Sequence, residues 1–151
     1  MDEARWLTER EQVVWRRYIA ATRLVESEID RQLQRDAGLP ATYFEILVAL
    51  SEAPCHTLRM SELADLLRFS RSRLSHAIAK MERGGWVERQ ECPSDKRGAF
   101  AVLTDHGFEV LRRAAPGHVE QVRNLLIDVL SPEQLDQLGE ICATIHKSVE
   151  S

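Results

Sequence analysis

Between residues 68 and 83 the chain carries Arg68, Arg71, Arg73, Lys80 and Arg83 against a single acid, Glu82, a local net charge of +4. Clustered cationic side chains neutralise phosphates, and an arginine fork matches the guanine edge in the DNA major groove. The 151-residue chain as a whole carries −4. Residues 56–98 hold nine basic and six acidic side chains, which leaves the flanks at −7. A basic centre between acidic flanks suits a nucleic-acid partner, although a solvated helix face has the same composition.

The residues that could support other chemistry are poorly spaced for it. There is no HExxH, no paired-cysteine motif and no nucleophile–base constellation, so neither an enzyme nor a cofactor is expected. Cys55 and His56 are adjacent rather than spaced as metal ligands, and Pro116 lies between His106 and His118, so no metal site is expected. Cys55, Cys92 and Cys142 are too few and too scattered for a disulfide framework. A thiol switch would need a lowered pKa, and Cys142, on an apolar seam, reads as core.

The elements that must position the basic cluster are legible from caps and periodicity. Thr8-Glu9-Arg10-Glu11 is a capping box, and Val14, Tyr18, Ala21, Val25, Ile29 and Leu33 follow on one helical stripe. Gly38 ends that helix and Pro40 opens the next, residues 41–51, which is apolar nearly all round and belongs inside. Ser61 is the expected cap of a short helix over 62–67. A tight turn at Arg68, Phe69 and Ser70 leads to a helix over 71–83. There Leu74, Ile78 and Met81 share one face, while Ser72, His76, Ala79 and Arg83 share the other. Two short helices joined by a tight turn, the second basic outside, describe a helix-turn-helix.

After Gly84-Gly85, residues 86–91 and 99–104 favour strand around a Pro-, Ser- and Gly-containing middle, which predicts a hairpin with a charged tip. Thr104 caps a long helix interrupted by Pro116-Gly117, where a kink or break is expected. Ser131-Pro132-Glu133-Gln134 starts a last helix with Leu135, Leu138, Cys142, Ile145 and Val149 on a packing seam. The fold class is therefore mainly α with a small β-hairpin wing. Residues 53–104 form the winged helix-turn-helix and residues 8–37 and 105–149 the dimerisation helices of one unit. No apolar run approaches the ~18 residues of a membrane span. The charged N-terminus lacks a signal-peptide core, so a cytoplasmic protein with no membrane partner is expected.

At the hairpin the chain resembles the multiple-antibiotic-resistance regulator (MarR) family. Asp95-Lys96-Arg97-Gly98, Leu103-Thr104 and Gly107 are similar to the family's D-x-R-G…L-T-x-x-G. Ser61-Glu62-Leu63-Ala64, Ser72-Arg73-Leu74-Ser75 and Met81-Glu82-Arg83-Gly84-Gly85 are similar to its helix-turn-helix. The resemblance implies a homodimer with interlocked terminal helices, one recognition helix per subunit in successive major grooves, and a wing arginine in the minor groove. It also implies a repressor of a pseudo-palindromic operator, released by a small, often phenolic, effector.

Ser72, Arg73, Ser75 and His76 are the candidates for base edges, and Arg71 and Lys80 for phosphates. Lys96 and Arg97 stand at the hairpin tip, where Arg97 suits a narrow minor groove. Asp95 is read as supporting the wing. Trp15, Tyr18, Tyr43 and Phe44 are candidates for an aromatic effector pocket, although aromatics at helical spacing equally suit a core. Two other readings stand beside this one: a winged helix that binds protein partners, and a redox-responsive regulator acting through a cysteine.

Overall fold

The computed structural model describes residues 3–92 and 95–150, and the side chains of residues 92–97 lie outside the description. Six helices and three strands follow in the order α1 (Glu9–Ala37), α2 (Ala41–Glu52), β1 (Thr57–Arg59), α3 (Met60–Leu67), α4 (Arg71–Arg83), β2 (Val87–Cys92), β3 (Asp95–Leu103), α5 (Asp105–Val122) and α6 (Pro132–Glu150). The chain divides into two compact units. One comprises Asp30–His118; the other combines the chain up to Ile29 with the chain from Val119.

The Asp30–His118 unit holds the buried core. Leu33, Ile46, Leu47, Leu50, Leu63 and Met81 are completely buried, and Leu74, Ile78 and Val87 nearly so. The caps act as their residue types dictate. Gly38 adopts φ +61, which only glycine reaches without cost, and its N–H donates to Gln34 at 3.0 Å. The Asp30 carboxylate accepts from the Ala41 N–H at 2.9 Å, satisfying a free donor at the start of α2. β3 is the central strand, with β1 and β2 antiparallel on either side, Thr57 opposite Val102 and Val87 opposite Leu103.

The terminal unit is built differently. Thr8 Oγ1 accepts from the Glu11 N–H at 3.2 Å while Glu11 Oε2 accepts from the Thr8 N–H at 2.8 Å, the expected capping box. Ser131 and Gln134 form the same pair at the start of α6, at 3.1 and 3.0 Å. Yet no described residue of this unit is buried. Trp6 is 84% exposed and Val149 71%, and Val14, Leu24, Val129 and Ile141 are all more than half exposed. Apolar surface of this extent is what a partner covers.

Four expectations need correction. Ser61 is not a cap: α3 begins at Met60, and Arg59 occupies the cap position, where its side chain supplies no capping hydrogen bond. Pro116 does not break α5, which continues to Val122 and then widens into a π-helical turn over Arg123–Ile127. β3 begins at Asp95, so Lys96 and Arg97 belong to a strand rather than a loop tip. Cys142 is exposed, not core, because the seam it lies on faces outward in the single chain.

Candidate nucleic-acid interface

The helix-turn-helix is closed by Arg68, whose left-handed backbone (φ +58) lets the Phe69 N–H reach back to the Ala64 carbonyl at 3.0 Å. Ser70 then caps α4, its Oγ accepting from the Arg73 N–H at 3.1 Å. With Leu74, Ala77, Ile78 and Met81 buried, α4 leaves Arg71, Ser72, Arg73, Ser75, His76, Ala79, Lys80, Glu82 and Arg83 exposed. All six residues expected on the recognition helix thus share its outward surface.

Arg73 is also engaged within the protein. Its guanidinium lies 4.0 Å from the Phe69 ring centre, and Nη2 donates to Thr42 Oγ1 at 2.9 Å. The planar fork is therefore held before any ligand arrives, with donors that Thr42 does not use. Thr42 carries no signal of this role in sequence, since 31 residues separate the partners.

The recognition helix and the hairpin are tied by a second long-range bond. Glu82, the one acid of the basic stretch, accepts the Arg89 N–H of β2 at 3.0 Å. The Trp86 carbonyl accepts the Thr104 N–H at 3.1 Å, while Thr104 Oγ1 donates to the Gly85 carbonyl at 2.7 Å and accepts from the Gly107 N–H at 3.0 Å. A Cβ at Gly107 would stand 2.0 Å from the Trp86 carbonyl oxygen, so this approach requires glycine. The Leu103-Thr104…Gly107 signature is thus a junction joining the end of α4, the hairpin and α5.

The hairpin register shifts between Glu91 and Cys92, and Cys92 pairs with Asp95. The expected wing residues Asp95, Lys96 and Arg97 lie on β3, but their side chains fall outside the described residues. Between α4 and the hairpin lies a cleft of about 330 Å³, lined by Arg59, Ser61, Arg71, Leu74, Ser75 and Arg89 among others. The Arg59 guanidinium sits 5.2 Å over the Phe100 ring. Arg59 and Arg89 were not singled out from sequence; β1, which places Arg59, is only three residues long.

The four aromatic candidates fall two in each unit. Trp15 and Tyr18 face each other in the terminal unit at 6.1 Å, both exposed. Tyr43 meets Trp86 edge-on at 6.3 Å, at the base of the hairpin. Phe44 is a core residue, 4% exposed and 4.3 Å from the His118 ring. Burial lowers the pKa of His118, and its Nδ1 has no hydrogen-bond partner. Cys55 is exposed, at φ 55. Among the described residues no three His, Cys, Asp or Glu side chains group as metal ligands, and no helix is long and apolar enough to cross a membrane.

This arrangement is a winged helix-turn-helix. The MarR family model matches residues 37–98. The HTH-type transcriptional regulator PecS of Dickeya dadantii is 31% identical over 124 residues, covering 79% of this chain and 74% of PecS. The transcriptional repressor MprA of Escherichia coli is 33% identical over 104 residues, 69% of this chain and 58% of MprA, so the chain spans little more than half of that relative. Among solved structures, Sco3205, a MarR family transcriptional regulator from Streptomyces coelicolor in complex with DNA, is 56% identical with a TM-score of 0.94, covering 100% of this chain and 94% of Sco3205. AbsC, a MarR family regulator from the same organism, is 44% identical with a TM-score of 0.90, covering 97% and 99%. The chain belongs to the MarR family of transcriptional regulators.

Proposed function

We propose that this protein is a homodimeric, cytoplasmic repressor that binds a pseudo-palindromic DNA operator and performs no catalysis. The observation that carries the reading is the outward surface of α4, basic and polar from Arg71 to Arg83, with every leucine, isoleucine and methionine of the helix buried. A protein-docking helix would expose apolar anchors instead. In this reading Ser72, Arg73, Ser75 and His76 meet base edges, Arg71 and Lys80 meet phosphates, and Arg97 enters the minor groove while Asp95 and Lys96 complete the wing. Residues 53–104 read DNA, and residues 8–37 and 105–149 pair the subunits. The unburied terminal unit supports that pairing, since two copies would cover each other's apolar faces.

A small aromatic effector suits Trp15 and Tyr18, or Tyr43. Tyr43 follows Thr42, which holds Arg73, and itself packs on Trp86 at the hairpin base. A ligand that moves the start of α2 would therefore disturb the recognition helix and the wing together. Gel-shift titration on the DNA upstream of the protein's own coding region, across a salt series, tests the reading. A complex that survives excess unrelated duplex supports it, and binding abolished equally by any duplex refutes it.

A further inference from the structure

We infer that the cleft between α4 and the hairpin seats one phosphodiester of the DNA strand that separates the major-groove contact from the minor-groove contact. The inference rests on the DNA-binding reading above, which gives Arg71 a phosphate, and builds a site around that contact from Arg59 and Arg89, which that reading did not use. A duplex engaged by a helix in one groove and a wing in the next must pass its sugar–phosphate ridge between those two elements. The cleft occupies that place. Three arginines from three different elements line it: Arg59 at the end of β1, Arg71 at the start of α4, and Arg89 in β2. No acidic side chain lines it among the described residues. Its 330 Å³ accommodates a phosphate with part of its sugar.

The surrounding chemistry favours a phosphodiester over a base edge. Arg59 and Arg89 stand off the outward surface of α4, so they are not placed on the helix that enters the major groove. Ser61 and Ser75 add hydroxyl donors, and Leu74 gives an apolar side suited to a deoxyribose. The two basic walls are fixed to each other before DNA arrives. Glu82 of α4 accepts the Arg89 N–H, which sets the distance between helix and strand. Arg59 is held over Phe100 of β3. Preorganised cations around a concave site concentrate the potential where a phosphate would enter.

The test compares the wild-type protein with Arg89→Gln, Arg71→Gln and Arg89→Lys on two probes: a duplex selected from a random library and a scrambled duplex of equal length. Losing one phosphate contact shallows the slope of log affinity against log salt by about 0.9, so the deficit of a variant shrinks roughly 3.5-fold between about 50 and 200 mM salt. Each glutamine variant should show part of that change on both probes, because two arginines still line the cleft and the contact carries no sequence information. Arg89→Lys should keep the wild-type slope, since the charge remains. Replacing phosphates one at a time by uncharged methylphosphonates should reveal one position per half-site that weakens wild-type binding and weakens Arg89→Gln less. Melting temperatures of the variants confirm folding. Wild-type slopes for both glutamine variants, or no such phosphate position, would overturn the inference. If the wild type enriched no sequence at all, the operator reading would fail, and slopes on the scrambled duplex would still decide the cleft.

Discussion

Arg73→Ala separates the internal contacts of one side chain from its proposed contact with DNA. Within the protein, the guanidinium packs on Phe69 at 4.0 Å and bonds Thr42 at 2.9 Å. An exposed cation–π contact contributes ~0.5–1 kcal/mol. The bond from the guanidinium to Thr42 has a charged donor but is exposed to solvent, which keeps it near the ~0.5–1.5 kcal/mol of an ordinary hydrogen bond. The substitution should therefore destabilise the free protein by about 1–2.5 kcal/mol, measurable by chemical denaturation. Loss of a bidentate base contact should in addition weaken operator binding by ~1–3 kcal/mol and relax the preference at one base pair per half-site. Thr42→Val supplies the control: it removes the internal bond, keeps the volume, and leaves the guanidinium able to reach DNA. It should cost stability by about 0.5–1.5 kcal/mol while keeping the base preference. An Arg73→Ala protein as stable as the wild type would show that the side chain is not held. Unchanged base preference in the same protein would show that Arg73 does not read DNA.

Three other outcomes are expected. Gly107→Ala places a methyl 2.0 Å from a carbonyl oxygen that Thr104 already pins, so stability should fall by about 2–4 kcal/mol, more than for Gly38→Ala, whose only cost is a left-handed backbone at ~1–2 kcal/mol. Equal losses at the two sites in thermal unfolding would contradict the junction. Burial holds His118 neutral where an unfolded histidine takes up a proton, so its contribution is present above the usual histidine pKa of ~6.5 and is lost as pH falls through the lower folded value. His118→Phe should flatten the acid side of the stability profile, and an unaltered profile would exclude the residue as its cause. Arg97→Ala should weaken operator binding roughly tenfold, by about 1.4 kcal/mol, with an unchanged melting temperature. The deficit should be larger on A·T-rich than on G·C-rich flanks, and equal binding by both proteins on both flanks would remove the wing from the interface.

Local signals made most of this fold legible. Both capping boxes, the glycine at 38 and the buried stripe of Leu74, Ile78 and Met81 depend on steps of four positions or fewer, and each stands where the spacing placed it. The family motif was legible for the same reason, and the geometry adds its physical content, the close approach of Gly107 to Trp86. What escaped was non-local. β1 is three residues long and is a strand only because β3 pairs with it. Ser61 looked like a cap because its type favours one, but β1 runs directly into α3 and advances the helix start. The second role of Arg73 depends on Thr42, and the cleft depends on arginines at 59, 71 and 89 that share no periodicity. Cys142 was misjudged because hydrophobic spacing marks an apolar seam on a helix without showing that the chain itself covers it.

The central question is whether two copies of this chain read DNA sequence. Selection from a random duplex library with the full-length protein at near-physiological salt measures that directly. The account predicts one enriched motif, pseudo-palindromic, with half-sites centred about 10–10.5 base pairs apart or a multiple of that, as two recognition helices on one side of the duplex require. Enrichment of nothing beyond what charge alone retains would contradict it, and so would a single unpaired half-site bound by one subunit.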